Sequence, residues 1–154
     1  KVPMTRKTLT ILAAGGSLAL LLGAFGFQMM GYAPCKMCIW QRWPHAVAIV
    51  IGVIAFFVPR TGLLYLGALA ALTTAAIGVF HAGVELKWWQ GPTTCTSGDI
   101  SNLSTDELMT QILNAPVIRC DEIAWQFMGI SMAGWNAILS LCLVGLWIAA
   151  ARRN

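Results

Sequence analysis

The sequence predicts an all-α membrane protein in which four transmembrane helices form a bundle. Of its 154 residues, 58% are hydrophobic and only 10% are charged, and the mean hydropathy is +0.72. A soluble domain carries roughly 25% charged residues, so this composition excludes an ordinary soluble protein. Four apolar stretches have about the 20 residues that a helix needs to cross a bilayer. We therefore expect one membrane domain over 1–154, with spans at about 8–30, 39–58, 63–84 and 127–151.

The first and third spans have features that favour a packed bundle. The stretch at 8–30 lacks a small-residue cleavage site, so we interpret it as a retained helix rather than a leader. Small residues recur along both spans, among them Gly16, Gly67 and Gly78. Such residues let helix backbones approach each other closely in lipid, so they predict tight contacts between the spans.

The long connection at about 85–126 is predicted to carry a short amphipathic helix. Ser104 and Glu107 lie three residues apart, as in a capping box, and the apolar residues Leu108, Met109 and Ile112 follow them. This pattern is typical of a helix that lies flat on a membrane surface.

Charge placement predicts the orientation of the spans. All six acidic residues fall in the connection between the third and fourth spans: Glu85, Asp99, Asp106, Glu107, Asp121 and Glu122. Basic residues flank the opposite ends: Lys1, Arg6, Lys7, Arg60, Arg152 and Arg153. Lys and Arg in short segments mark the cytoplasmic side, so we expect both termini in the cytoplasm and the loops at about 31–38 and 85–126 outside. The net charge of +4 is explained by this topology and gives no case for a nucleic-acid partner.

Four of the five cysteines fall on the predicted outer side. Cys35, Cys38, Cys95 and Cys120 lie in the two outer loops, where disulfides persist. Cys142 lies in the middle of the fourth span among apolar residues, and we expect it to be a buried, inert thiol.

Cys35 and Cys38 form a CxxC pair where the second span begins. A disulfide between them would close a single turn and constrain the unfolded chain little, so the pair indicates chemistry rather than a structural role. A helix that begins at this pair carries Cys38, Arg42 and His45 within an arc of about 80°. Arg42 then lies one turn from Cys38, where a permanent positive charge favours a thiolate.

Other interpretations of the polar residues in the spans stay open. Arg42 can be an interfacial anchor beside Trp40 and Trp43. His45 can bond an oxygen of a lipid-soluble cofactor or, alternatively, a neighbouring helix, and we expect Asn136 to link helices.

The second pair of cysteines also has two interpretations. A disulfide between Cys95 and Cys120 would close the long loop and, as a staple, would contribute a few kcal/mol. Together with a CxxC pair on the same side, however, it matches a thiol–disulfide relay, which needs one pair for a partner and a second to carry electrons inward. His81 and Glu85 are one turn apart, and we expect an interface pair, with a proton relay as the alternative.

The segment PCKMCIWQR at 34–42 follows the first span, and the second outer loop contains Cys95 and Cys120. The stretches GVE, WQGP and CD around these cysteines complete the pattern. With the four spans, these motifs resemble the disulfide bond formation protein B (DsbB) family of bacterial inner-membrane thiol oxidases. Gln41 stands where some relatives carry an acid.

The resemblance implies a dithiol:quinone oxidoreductase that generates disulfides. Cys95 would receive electrons through a mixed disulfide with a reduced periplasmic oxidant of the DsbA type. Cys120 would be the disulfide partner of Cys95 and would pass the electrons to Cys35, which pairs with Cys38.

The resemblance also implies a quinone cofactor, ubiquinone or menaquinone, drawn from the membrane pool. Cys38 would be the thiolate that faces the quinone, and Arg42 would hold it. The ring needs an apolar slot at the outer rim, and we expect interfacial tryptophans to supply one: Trp40, Trp43, Trp88 and Trp89.

Three alternatives belong to other classes. The four outer cysteines could bind zinc as thiolates, but an oxidising compartment and separate loops disfavour this, and we expect no metal. A structural four-span protein with a disulfide-stapled loop is a second alternative. The nearest is a redox protein resembling the vitamin K epoxide reductases, in which the CxxC pair comes late in the bundle.

Overall fold

Four long helices and one short helix make up the fold of the computed structural model, which describes residues 4–93, 95, 104–113 and 118–153. In chain order the helices are α1 (Arg6–Met29), α2 (Lys36–Phe57), α3 (Thr61–Glu85), α4 (Thr105–Leu113) and α5 (Met132–Ala151). Helices α1, α2, α3 and α5 are each long and apolar enough to cross a membrane. The predicted four-helix membrane bundle is confirmed.

Side-chain caps determine where three of the spanning helices begin. The hydroxyl oxygen of Thr5 accepts from the backbone N–H of Thr8 at the start of α1, and Ser131 does the same for α5. At the start of α2 the cap is Cys35, whose sulfur accepts from the backbone N–H of Cys38. These contacts satisfy N–H groups that have no partner within the helix. The first cysteine of the CxxC pair is therefore also the residue that begins the second span.

Helix α3 packs against α2 and α5, and α1 packs against α2 and α5, whereas α1 and α3 scarcely touch. The core toward the end where α3 begins and α5 ends is centred on Trp147, which is completely buried together with Ala71 and Leu64. Gly67 on α3 faces the indole ring of Trp147, and Gly78 faces the α5 backbone near Ala137. Small residues on α3 therefore make room for α5, as the sequence predicts.

The fourth spanning helix begins at Met132, five residues later than the predicted span. Residues before it form a two-stranded antiparallel hairpin of β1 (Gln126–Phe127) and β2 (Ile130–Ser131). Met128 and Gly129 both have positive φ, as a tight two-residue hairpin turn requires. The apolar stretch at 127–151 is thus a hairpin followed by a helix.

The amphipathic helix of the long loop forms as predicted. The Glu107 carboxylate accepts from the Ser104 backbone N–H at 2.9 Å and from its hydroxyl at 2.6 Å, which completes the capping box. Residues 94, 96–103 and 114–117 of the loop lie outside the described residues, as do Lys1 and Asp99 of the charge pattern.

The prediction of a buried Cys142 is wrong. Its side chain is exposed on the outside of the bundle, where lipid would surround it. The buried face of α5 carries Ala137, Ser140 and Trp147, and Cys142 lies off that face. Hydropathy alone does not distinguish a lipid-facing position from a core position, because both are apolar.

The contact between Gly67 and Trp147 gives a test of the packing. A methyl group at position 67 would lie about 2.7 Å from the indole ring. Because the ring is fully enclosed, Gly67→Ala should lower the free energy of unfolding by about 1–3 kcal/mol. Gly145→Ala is the matched control, since no atom lies within 4 Å of its added methyl group. Thermal unfolding in detergent measures both variants, and equal midpoints would contradict the packing.

Candidate active site

Four cysteines meet at the end of the bundle where α2 begins and α3 ends. Cys95 and Cys120 are joined by a disulfide, and the backbone N–H of Cys120 donates to the Cys95 carbonyl at 2.8 Å. The Cys35 sulfur lies within 4.8 Å of both sulfurs of this disulfide. Cys35, Cys95 and Cys120 are buried, together with Met37. Two cysteine pairs from separate loops therefore share one enclosed cluster.

Cys35 and Cys38 are free thiols in this structure. The Cys35 thiol donates to the Cys38 sulfur over 2.9 Å. This hydrogen bond, together with burial, raises the pKa of the Cys35 thiol above its ordinary value. Cys38 is therefore the acceptor of the pair.

His81 on α3 contacts the cysteine cluster. Its Nε2 lies 3.5 Å from the Cys35 sulfur. Its Nδ1 lies 2.9 Å from the Gln41 amide nitrogen. The nearest Glu85 oxygen is 3.9 Å from Nε2, so the expected pair with Glu85 is looser than the contacts to Gln41 and Cys35.

Gln41 belongs to a buried network of polar side chains that links α2, α3 and α5. Its amide oxygen accepts from the Asn136 amide at 2.7 Å, and Asn136 also donates to the Thr74 hydroxyl at 3.1 Å. The oxygen of Asn136 lies 2.9 Å from His45 Nε2. The expectation that Asn136 links helices is therefore confirmed. Sequence analysis did not group these residues, although each is a polar side chain inside an apolar span, which is itself a signal.

Arg42 is held by the first helix. Its guanidinium donates to the Gln28 side chain at 2.7 Å and to the Ala24 carbonyl at 3.3 Å, and it lies over the Phe25 ring. Within the part of the chain that the structure describes, no carboxylate lies within ion-pair distance of it. The charge of Arg42 is therefore not neutralised by a fixed acid.

A cavity of about 440 Å³ lies beside the CxxC pair, between α1, α2 and α5. Apolar side chains form most of its wall, and Cys38, Arg42 and His45 also line it. Three buried polar atoms of residues that line the cavity have no hydrogen-bond partner: Arg42 Nε, His45 Nδ1 and Glu85 Oε2. A ligand acceptor would satisfy Arg42 Nε, and a ligand donor would satisfy either of the other two atoms.

The tryptophans that were expected to wall this slot are not among its lining residues. Trp40 and Trp43 are largely exposed on the surface of α2, and Trp89 stacks on Phe80. Trp125 and Trp135 line the cavity instead. Trp125 lies in the loop before the hairpin, and Trp135 lies in the first turn of α5, directly after the hairpin. Local sequence does not reveal that either residue reaches the cavity.

A charged clamp holds the Cys120 segment to the end of α3. The Asp121 carboxylate accepts from Arg119 and from Lys87, both at 2.7 Å. Hydrogen bonds from Arg119, followed by those from Lys87, lower the pKa of Asp121 below its ordinary value. Lys87 also donates to the Asp121 carbonyl at 2.6 Å, so the clamp fixes the backbone next to Cys120.

The fold and this site define a polytopic membrane protein with two adjacent cysteine pairs. Residues 6–150 match the family model of disulfide bond formation protein DsbB, and the chain belongs to that family. It is thus a membrane protein of disulfide-bond formation.

Relatives with the same description match over most of their length. Disulfide bond formation protein B of Azoarcus sp. is 31% identical, with 99% of this chain and 97% of the relative covered. Disulfide bond formation protein B of Polaromonas naphthalenivorans is 30% identical, with 97% and 95% covered. Disulfide bond formation protein B 2 of Pseudomonas aeruginosa is 30% identical, with 87% and 83% covered. No solved structure matches significantly.

The clamp predicts how accessible the Cys95–Cys120 disulfide is. Both sulfurs are buried, so a phosphine reductant reaches them only when the loop opens. Asp121→Asn should speed reduction several-fold, because it removes the charge that binds Lys87 and Arg119. Since the Asp121 pKa is lowered, the clamp is complete above about pH 4 and weakens only as pH falls through the lowered pKa.

The ratio of variant to wild-type rates should therefore stay constant from pH 8 to pH 6. Glu122→Gln is the control, because Glu122 is exposed and its ion pair is with Arg119 rather than with Lys87. If Asp121→Asn and Glu122→Gln were reduced at the same rate, the clamp would not hold the loop.

Proposed function

We propose that this protein oxidises the dithiol of a DsbA-type periplasmic protein and passes the electron pair through its two cysteine pairs to a membrane quinone. One observation carries the proposal: the Cys35 sulfur lies within 4.8 Å of both Cys95 and Cys120, while its partner Cys38 lines the cavity. The four cysteines thus connect the outer loop to a site within the bundle.

In this scheme Cys95–Cys120 is the disulfide that the external dithiol reduces. The partner's thiolate attacks Cys95, the disulfide opens, and the partner leaves oxidised, which places two electrons and two protons on Cys95 and Cys120. Cys95 is completely buried, so this attack requires the loop to move away from α3.

The second exchange transfers the electrons inward. The Cys120 thiolate attacks Cys35 of a Cys35–Cys38 disulfide, and Cys38 leaves as a thiolate. Cys95 then attacks Cys120 of the Cys120–Cys35 mixed disulfide and displaces Cys35. The Cys95–Cys120 disulfide is thereby formed again, and Cys35 and Cys38 are left as two thiols.

The cavity fits a quinone. Its volume of about 440 Å³ is within the range of small-molecule sites, and its apolar wall suits an aromatic ring with an isoprenoid tail. Arg42 Nε is an unpaired donor for a ring oxygen, whereas His45 Nδ1 is an acceptor, since Nε2 donates to the Asn136 oxygen, and it would bond a hydroxyl of the reduced quinol. When bound, the quinone supplies an acceptor for two electrons and two protons.

The roles of the protein groups follow from their positions. Arg42 would hold the ring oxygen and stabilise negative charge that develops there, since no fixed acid neutralises it. Cys38 would carry the reactive thiolate, as the hydrogen-bond acceptor of its pair. The apolar wall, including Phe27 and Leu139, would exclude water from these groups.

We infer that the protein lies in the bacterial inner membrane with both termini in the cytoplasm. Arg6 at the start of α1 donates to Thr61 at the start of α3. The N-terminal segment and the turn between α2 and α3 therefore lie at the same end of the bundle. The cysteine cluster lies at the opposite end. Lys and Arg concentrate on the cytoplasmic side, which makes the cysteine end periplasmic.

Anaerobic quinone reduction by the purified protein tests the proposal. Given a reduced DsbA-type dithiol, the wild type should form one quinol per dithiol consumed, and Cys38→Ser and Cys95→Ser should each abolish it. No quinol from the wild type, with both cysteine pairs stably oxidised, would instead favour a disulfide-stapled structural protein.

Arg42→Ala separates the two halves of the reaction. Loss of a charged hydrogen bond should raise the KM for quinone about tenfold or more, while reduction of Cys95–Cys120 by the dithiol stays near the wild-type rate. Lys7→Ala is the matched control, because Lys7 lies over Phe56 at the opposite end of the bundle. Equal losses in both half-reactions would remove Arg42 from the quinone site.

A further inference from the structure

The hydrogen-bond network around Gln41 determines which nitrogen of His81 carries a proton. A backbone carbonyl only accepts hydrogen bonds, so the Gln41 atom that lies 3.2 Å from the Met37 carbonyl is its NH2 group. The same NH2 group lies 2.9 Å from His81 Nδ1. Nδ1 must therefore accept, and the proton of a neutral His81 is on Nε2.

The other end of the Gln41 amide agrees with this assignment. Its oxygen accepts from the Asn136 NH2 group, whose second N–H points to the Thr74 hydroxyl. The Thr74 hydroxyl hydrogen is itself used, because it is donated to the Gln41 carbonyl at 3.0 Å. Each donor in the chain therefore meets an acceptor, and a reversed Gln41 amide would place two donors or two acceptors face to face.

His81 Nε2–H then faces the sulfur that lies next to the other cysteine pair. Nε2 is 3.5 Å from the Cys35 sulfur, which itself lies within 4.8 Å of the Cys95 and Cys120 sulfurs. His81 is only 2% exposed, so water does not compete for this N–H. The Cys35 thiol hydrogen is directed to Cys38, and the sulfur accepts from the Cys38 backbone N–H, which leaves one of its two lone pairs for His81.

We propose that Gln41 is a positioning residue that holds His81 as its Nε2–H tautomer, so that His81 donates to the Cys35 sulfur while the two cysteine pairs exchange. The inference rests on the proposed function, because it concerns the inward transfer step. In that step one S–S bond breaks and another forms, two electrons pass from Cys95 and Cys120 to Cys35 and Cys38, and two protons follow. The N–H of His81 stabilises charge on Cys35 when Cys95 displaces it from Cys120.

A carboxylate at position 41 would act differently. It has no hydrogen to donate, so it would accept from His81 Nδ1–H and favour either the other tautomer or a doubly protonated ring. Gln41→Glu therefore changes the direction of one hydrogen bond while nearly preserving the side-chain volume. Gln41→Leu removes the hydrogen bond altogether.

The experiment follows electron transfer between the two cysteine pairs without added quinone. The whole chain, with both pairs oxidised, is mixed anaerobically in detergent with one equivalent of reduced dithiothreitol. Thiols are trapped by acid quenching and alkylation, and peptide mass spectrometry reports the order in which the cysteines become free. Gln41→Leu should delay free Cys35, which is released when Cys95 displaces it from Cys120, by about five- to tenfold, as expected for the loss of one buried hydrogen bond.

Two further variants assign the delay to His81. Ser140→Ala is the matched control, because Ser140 contacts the far end of the same network through Asn136, and it should transfer at the wild-type rate. In a His81→Leu background, Gln41→Leu should add no further delay. An undiminished delay in that background, or a wild-type rate for Gln41→Leu, would overturn the proposal.

A spectroscopic measurement tests the tautomer independently of any reaction. The chain has only two histidines, so ¹⁵N-histidine labelling gives two rings, and His45→Leu assigns them. Wild-type His81 should be protonated at Nε2 and not at Nδ1, and Gln41→Glu should protonate Nδ1. A wild-type His81 protonated at Nδ1 would overturn the inference.

The failure of this inference is distinguishable from the failure of the proposed function. If the wild type transferred no electrons between its cysteine pairs, the proposed relay would be wrong. If the wild type and Gln41→Leu transferred electrons at equal rates, the relay would stand and the role of Gln41 would be wrong.

Discussion

A polar side chain inside a bilayer loses the hydrogen bonds that water would provide, so it must find partners within the protein. In this chain that constraint joins α2, α3 and α5. Gln41, Thr74 and Asn136 each come from a different helix, and each uses its donors and acceptors on the other two. The small residues of α3 allow the helices to approach closely enough for these short side chains to meet.

The cysteine site depends on the same arrangement. Gln41 lies one turn beyond the CxxC pair on α2, and its contact with His81 sets the position of α3 next to Cys35. The end of α3 then supplies Lys87, which holds Asp121 and with it the neighbouring Cys120. Two loops that are far apart in the sequence are brought together because the helices that carry them share a buried polar network.

Three unpaired atoms at the cavity wall contrast with the satisfied network around Gln41. Gln41, Thr74 and Asn136 match donors with acceptors, but Arg42 Nε, His45 Nδ1 and Glu85 Oε2 are buried at this wall without partners. Leaving such groups unpaired costs stability, so their presence at a cavity next to a reactive thiol is more typical of a ligand site than of a packing contact.

The sequence by itself determined the class of membrane protein, the four spans, the capped helix α4 and the start of α2 at the CxxC pair, because these features depend on hydropathy and local hydrogen bonds. It also identified the four cysteines that the structure brings into one cluster. Only the tertiary structure decided that Cys142 faces outward, that residues 126–131 form a hairpin, and that Trp125 and Trp135 line the cavity. The contact between Gln41 and His81 also needed the tertiary structure, since it joins residues 40 positions apart. Such contacts depend on how helices rotate and pack against one another, and hydropathy along one chain does not specify that rotation.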